Sequence, residues 1–133
     1  VEGVGSLLAA VYALFAVAAG ARSLFQIASK FDEAPVAYAL SAVAALIYLA
    51  AAVCFARPSA VSYRAAAVFL AVELAGVLAV GALSLADPDL FPDQTVWSDF
   101  GAGYGFIPLV LPVAGLAWLV RGRTRRDWED AGA

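Results

Sequence analysis

The chain has 133 residues, 64% of them hydrophobic and only 14% charged, and its mean hydropathy is +0.87. A soluble domain is nearer half apolar and a quarter charged, and a fold this short has no core large enough to hide the excess, so an ordinary water-soluble globule is excluded and the surplus must face lipid. The formal net charge of −3, the lack of any His and a single Cys, Cys54, exclude histidine-ligated haem or zinc and dithiol redox chemistry, and nothing in the charge balance invites nucleic acid.

Four apolar segments are marked by length, each near the roughly 20 residues that about 30 Å of hydrocarbon requires. The first covers residues 4–27 and continues as helix towards Phe31. Its AVAAGA run resembles a small-residue cleavage site, but no basic stretch precedes it, so it reads as a retained span. Tyr12, Ala19, Arg22, Gln26 and Lys30 fall on one helical stripe, which should face protein or water.

Asp32 and Glu33 precede Pro35, and proline suits the first turn of the second span, residues 36–56. Ser41, Ala45, Tyr48 and Ala52 share a face of small residues plus one phenol, which suits close helix contact. Cys54 reads as a small apolar filler. Arg57 and Pro58 then stop the helix.

The third span, residues 62–85, carries one carboxylate, Glu73, near its middle. Ser62, Ala66, Phe69, Glu73, Gly76, Val80 and Ser84 recur at three- and four-residue steps and predict a packing face. At 1.5 Å per residue, Glu73 comes within roughly 5 Å of the midplane, as does Tyr48 on the oppositely running second span; Arg22 lies about 10 Å further out, partly within reach of its long side chain. Since an isolated charged carboxylate in hydrocarbon is costly, the expected site is an intramembrane cluster of Glu73, Tyr48 and Arg22, with Gln26 beside it.

Residues 86–103 form an outer loop with Asp87, Asp89, Asp93 and Asp99 and no basic residue. Their spacing fits no calcium loop, so a solvated acidic loop with no metal is expected. Gly101, Gly103 and Gly105 lack the lysine and strand context of a phosphate loop and read as a flexible entry to the last span, residues 104–120. Pro112 predicts a kink there, since it leaves the carbonyl of Pro108 without its helical partner.

The tail, residues 121–133, is basic before it is acidic, and Trp128 is placed to anchor it at the membrane surface. Arg57 and Arg64 in the second connection, with Arg121, Arg123, Arg125 and Arg126 in the tail, outweigh Arg22 and Lys30 elsewhere, which puts both termini and the middle loop in the cytoplasm. Phe91, Trp97, Phe100 and Tyr104 are expected in one interfacial aromatic belt, and Tyr63 and Trp118 in the other.

The runs RSLFQIASKFDEAPVAYALSA and FPDQTVWSDFGAGYGFIPLVLPV resemble those of small four-span integral membrane proteins of actinobacteria, a group without an assigned activity. Arg outnumbers Lys and Ala is abundant, as in GC-rich bacteria. Small multidrug transporters carry a Glu in their first span where this chain holds Tyr12, and vitamin K epoxide reductases need more than one Cys. The expected architecture is therefore all-α: a single domain over residues 1–133, an antiparallel bundle of four transmembrane helices with both termini cytoplasmic, multi-pass in a bacterial inner membrane. The expected function is that of a non-catalytic component, without a cofactor, of a larger membrane complex or homo-oligomer; the competing expectation is a small transporter or channel that couples protons or cations through Glu73.

Overall fold

The computed structural model describes residues 2–92 and 94–131, apart from the side chains of residues 2, 122 and 123. Among them all regular structure is helical: α1 (Glu2–Lys30), α2 (Pro35–Ala56), α3 (Ala60–Ala86), α4 (Ile107–Leu119) and α5 (Gly122–Ala131), with 3-10 turns at Phe31–Glu33, Pro88–Leu90 and Ser98–Tyr104. The first three helices are long and apolar enough to cross a membrane, and α4 joins them if it is counted together with the turn before it.

Proline and hydroxyl residues set the boundaries. Pro35 opens α2, where its missing N–H costs nothing. Pro58 pushes Arg57 out of the helical region and ends that helix. Ser59 then caps α3 by accepting from the backbone N–H of Ser62 at 3.0 Å, so α3 begins at Ala60 and the link is shorter than its sequence implies.

α1 lies along α2; α3 packs on α2, α4 and the Ser98–Tyr104 turn; α5 folds back on α3 and α4. Contacts climb one helix as they descend the other across the first pair: Tyr12 stacks on Phe55, Phe15 meets Tyr48, and Gly20 faces Ala45. Alanines and glycines on both helices permit that approach. Beside them is an apolar groove of about 510 Å³ lined by Ala13, Gly20, Ala45 and Ser23. Leu14, Val17, Leu24 and Leu46 remain exposed, as expected of a surface whose solvent is lipid.

A column of rings fills the interior, running Trp128, Trp118, Phe55, Tyr12, Tyr48, Phe15, Tyr104 with successive centroids 5.7–6.1 Å apart. Trp118 in this column is 7% exposed, and Trp97, which lies outside it, is 4% exposed, so both rings expected in interfacial belts are packed inside the protein. A chain with so few large polar groups gains more by burying its rings against each other, at up to about 1.5 kcal/mol per pair beyond area.

The last span departs most from expectation. Its helix is only 13 residues long, about 20 Å, and runs through Pro112 as one element. The sharp bend comes earlier, 97° between Ser98–Tyr104 and Ile107–Leu119. Gly105 (φ 65) and Phe106 (φ 61) turn the chain there in the left-handed region, where glycine is at ease and phenylalanine is strained. Proline at the expected kink is tolerated because α4 is short and Pro108 and Pro112 are both packed inside.

The tail is also more ordered than its polarity implied. Residues 122–131 form α5, and Trp128 is 3% exposed, packed against Phe55, Tyr63 and Trp118. It closes the bundle end instead of anchoring the tail on the membrane surface.

Candidate functional site

The site is built on α3, whose buried residues are Ala66, Leu70, Glu73, Val77, Val80 and Gly81. This repeats the three- and four-residue rhythm of the sequence with Leu70, Val77 and Gly81 added to the face. Glu73 is 0% exposed. The Tyr12 hydroxyl on α1 donates to Glu73 Oε1 at 2.7 Å, while Oε2 is buried without a partner.

Tyr48 on α2 stands beside this pair, its ring 6.0 Å from that of Tyr12. Its hydroxyl accepts from Trp97 Nε1 at 2.9 Å. That bond brings the loop after α3 into the bundle: Thr95, Val96, Trp97 and Ser98 are all buried. The expected solvated loop is thus corrected in its middle, and the reason lies in how its backbone is satisfied. Ser98 Oγ accepts from Thr95 N–H at 2.8 Å, Thr95 Oγ1 from Trp97 N–H at 3.0 Å, and Ser41 Oγ from Val96 N–H at 3.3 Å. With these donors paired, burying Val96 and Trp97 is favourable.

Two glycines on α3 receive the loop. A Cβ at Gly76 would stand 2.6 Å from Trp97 Cζ3, and one at Gly81 would collide with the Phe100 ring. Asp99 and Phe100 have φ of 53° and 60°, an unfavourable conformation for non-glycine residues. It is held by Phe100 on Gly81 and by the Asp99 N–H, which donates to Ser84 Oγ at 2.9 Å.

The remaining expected residues separate. Arg22 is exposed, and its Nη1 donates to the Tyr104 hydroxyl at 3.2 Å rather than to Glu73; a guanidinium at the edge of the bundle keeps its hydration by staying there. Gln26 is buried with Oε1 unpartnered, as is Ser23 Oγ one turn below. Asp87 and Asp89 are exposed, Asp99 is half-buried next to Ser84, and Asp93 lies outside the described residues. Among the described residues no three acidic or cysteine side chains converge. Cys54 is a buried free thiol near the end of α2.

Sequence reasoning passed over Tyr12 and Trp97 as partners in this site. Tyr12 was readable: it stands ten residues into α1 and Glu73 thirteen into α3, which puts them within about one helical turn in height when counted from those ends. Trp97 had no such signal, because its place depends on the loop folding inward.

Compared with protein-family models, with curated proteins and with solved structures, the chain matches none. Fold and site define a class: an all-helical membrane protein with three spans, or four with the bent pair, around one sealed carboxyl group.

Proposed function

We propose that the chain is a non-catalytic, multi-pass component of a bacterial plasma membrane, an antiparallel bundle of four spans with both termini cytoplasmic, which serves in a larger membrane complex or homo-oligomer. The observation that carries this reading is the complete burial of Glu73. A carboxyl that relays protons or cations needs a route by which they reach it. This one is closed off, with Tyr12 bonded to it and Tyr48 beside it held by Trp97. Glu73 is accordingly a strut that ties α3 to α1 by hydrogen bonding, in a setting where a free charge costs about 3 kcal/mol or more. The arginines clustered at one side support the orientation, and the resemblance of residues 22–42 and 91–113 to small actinobacterial membrane proteins supports the source. The exposed apolar faces of α1 and α2 offer a partner its contact surface within the bilayer.

One observation favours the other reading, a small transporter or channel coupled through Glu73: Oε2 has no partner. Glu73→Gln separates the two, since it keeps the shape and the acceptor for Tyr12 but cannot release a proton. The strut reading expects unfolding stability in detergent within about 1 kcal/mol of wild type and unchanged co-purification from native membranes. Normal folding combined with loss of a pH-driven cation flux in liposomes would establish the transporter instead.

A further inference from the structure

Residues 95–99 lie deep in the bundle. Trp97 covers Gly76, which stands ten residues before Ala86, the last residue of α3, or about 15 Å along the helix. α3 has 27 residues and is about 40 Å long, so it overhangs about 30 Å of hydrocarbon by roughly 5 Å at each end and places Trp97 roughly 10 Å inside the apolar layer. Glu73 is one turn deeper on the same helix face. Irregular backbone at such a depth is tolerated only where protein covers it or water reaches it.

The segment meets that condition largely by itself. The backbone N–H groups of all five residues are paired: those of Thr95, Trp97 and Ser98 within the segment, to oxygens of Thr95 and Ser98, and those of Val96 and Asp99 to the hydroxyls of Ser41 and Ser84. The Trp97 indole adds the bond to Tyr48. Bonds within the segment travel with it, and the hydroxyls of Ser41, Tyr48 and Ser84 can be hydrated once it leaves. Asp99 and Phe100 keep their strained left-handed conformation only while docked. The opposite approach to Glu73 is of another kind. Towards Ala60, Leu70 sits against Gly115, and Phe55 packs on Trp118, an apolar contact that water does not replace.

We propose that residues 95–99 are a re-entrant plug. They stop a hydroxyl-walled shaft that leads between α2 and α3 to Glu73, and withdrawing them opens the carboxyl to water from the end where this loop enters and from no other. The plug concerns the route to Glu73 and not its task, so it holds for a strut as for a transporter, and its failure would leave both readings standing.

The test uses the full chain carrying Cys54→Ala, reconstituted in liposomes. Single cysteines are placed at Val77 and Val80, buried on the shaft side of Glu73, and at Leu70, buried beyond it. A charged, membrane-impermeant thiol reagent is added to one side at a time, and reference cysteines at the exposed Asp89 and Arg126 identify the sides. The plug is released by Trp97→Ala and, more gently, by Tyr48→Phe with Ser84→Ala; circular dichroism checks folding, and the gentler variant carries the test if Trp97→Ala does not fold. In the folded variants Val77→Cys and Val80→Cys should react about tenfold faster or more than with the plug intact, only from the side on which Asp89→Cys reacts, while Leu70→Cys stays slow. Unchanged rates in a folded variant, reaction from the side of Arg126→Cys, or a Leu70→Cys rate that rises in step with Val77→Cys would each overturn the plug.

Discussion

A tryptophan folded in from a polar segment closes the bundle at each end, and the two closures are built differently. Trp97 lies over Gly76, is bonded through its indole nitrogen to Tyr48, and is followed by Phe100 lying over Gly81. Trp128 packs by ring edges against Phe55, Tyr63 and Trp118, at centroid distances of 5.5–6.1 Å, and its neighbour Trp118 keeps an unpaired donor. The first closure is keyed by notches and directional bonds, so it fits one arrangement. Among the described residues the second is held by ring contacts together with the burial of Thr124, a packing that tolerates small displacements, and a groove lies beside it. The difference teaches that two polar segments with one tryptophan each can be drawn into the same bundle by different means, one by fit and hydrogen bonding and the other by ring packing.

Replacing each tryptophan breaks this contrast most directly. Trp97→Ala removes a buried ring together with its hydrogen bond and should cost about 3–5 kcal/mol in unfolding stability, as such truncations do in cores. It should also expose residues 87–106 to protease, since the loop loses its anchor. Trp128→Ala should leave the midpoint of global unfolding much less changed while amide exchange in α5 accelerates, because a terminal helix can undock without opening the rest. Equal losses of global stability in the two variants would show that α5 is as integral to the fold as the loop.

Filling a notch is the next smaller perturbation. Gly76→Val places a side chain where the Trp97 ring now lies. The loop backbone is fixed by its bonds to Ser41 and Ser84, so the ring has little room to retreat, and a loss of about 1–3 kcal/mol is expected in the same denaturation assay. Gly20→Ala on α1 is the control: a Cβ there meets only Ala45 Cβ at 3.9 Å, an ordinary contact, and stability should hold. A Gly76 variant as stable as the control would mean that the loop closure adapts as readily as the tail closure.

How far the sequence reveals this architecture depends on the range of the interaction. The three long helices were legible because runs of apolar residues and prolines 35, 58 and 88 mark them locally. The inward direction of Glu73 followed from the rhythm of small residues around it on α3. Arg22 was assigned to Glu73 by charge and reach, yet it bonds Tyr104, because staying at the edge preserves its hydration. The inward loop and the docked tail were illegible for a common reason. Both are polar on average and carry one tryptophan each, and composition alone reads such a segment as solvated. What buries them is a receiving surface made elsewhere: Gly76 and Gly81 for the loop, Phe55, Tyr63 and Trp118 for the tail.

The smallest expected effect tests whether direction or mere contact distinguishes the loop closure. Tyr48→Phe keeps the ring that packs on Tyr12 and Phe15 but deletes the acceptor of the Trp97 indole N–H. If the bond keys the closure, the unpaired donor should cost about 1 kcal/mol, towards the low end because polar bonds inside membrane proteins average about 0.6 kcal/mol by double-mutant cycles. Trp97→Phe deletes the donor along with part of the ring, so each single change mixes the bond with packing. The double variant resolves the mixture: once the indole is gone, removing the Tyr48 hydroxyl should cost nothing further, leaving a coupling of roughly 0.5–1 kcal/mol between the two sites. Zero coupling would mean that Trp97 is held by its fit over Gly76 alone, and the two ends of the bundle would then differ in shape but not in the kind of force that closes them.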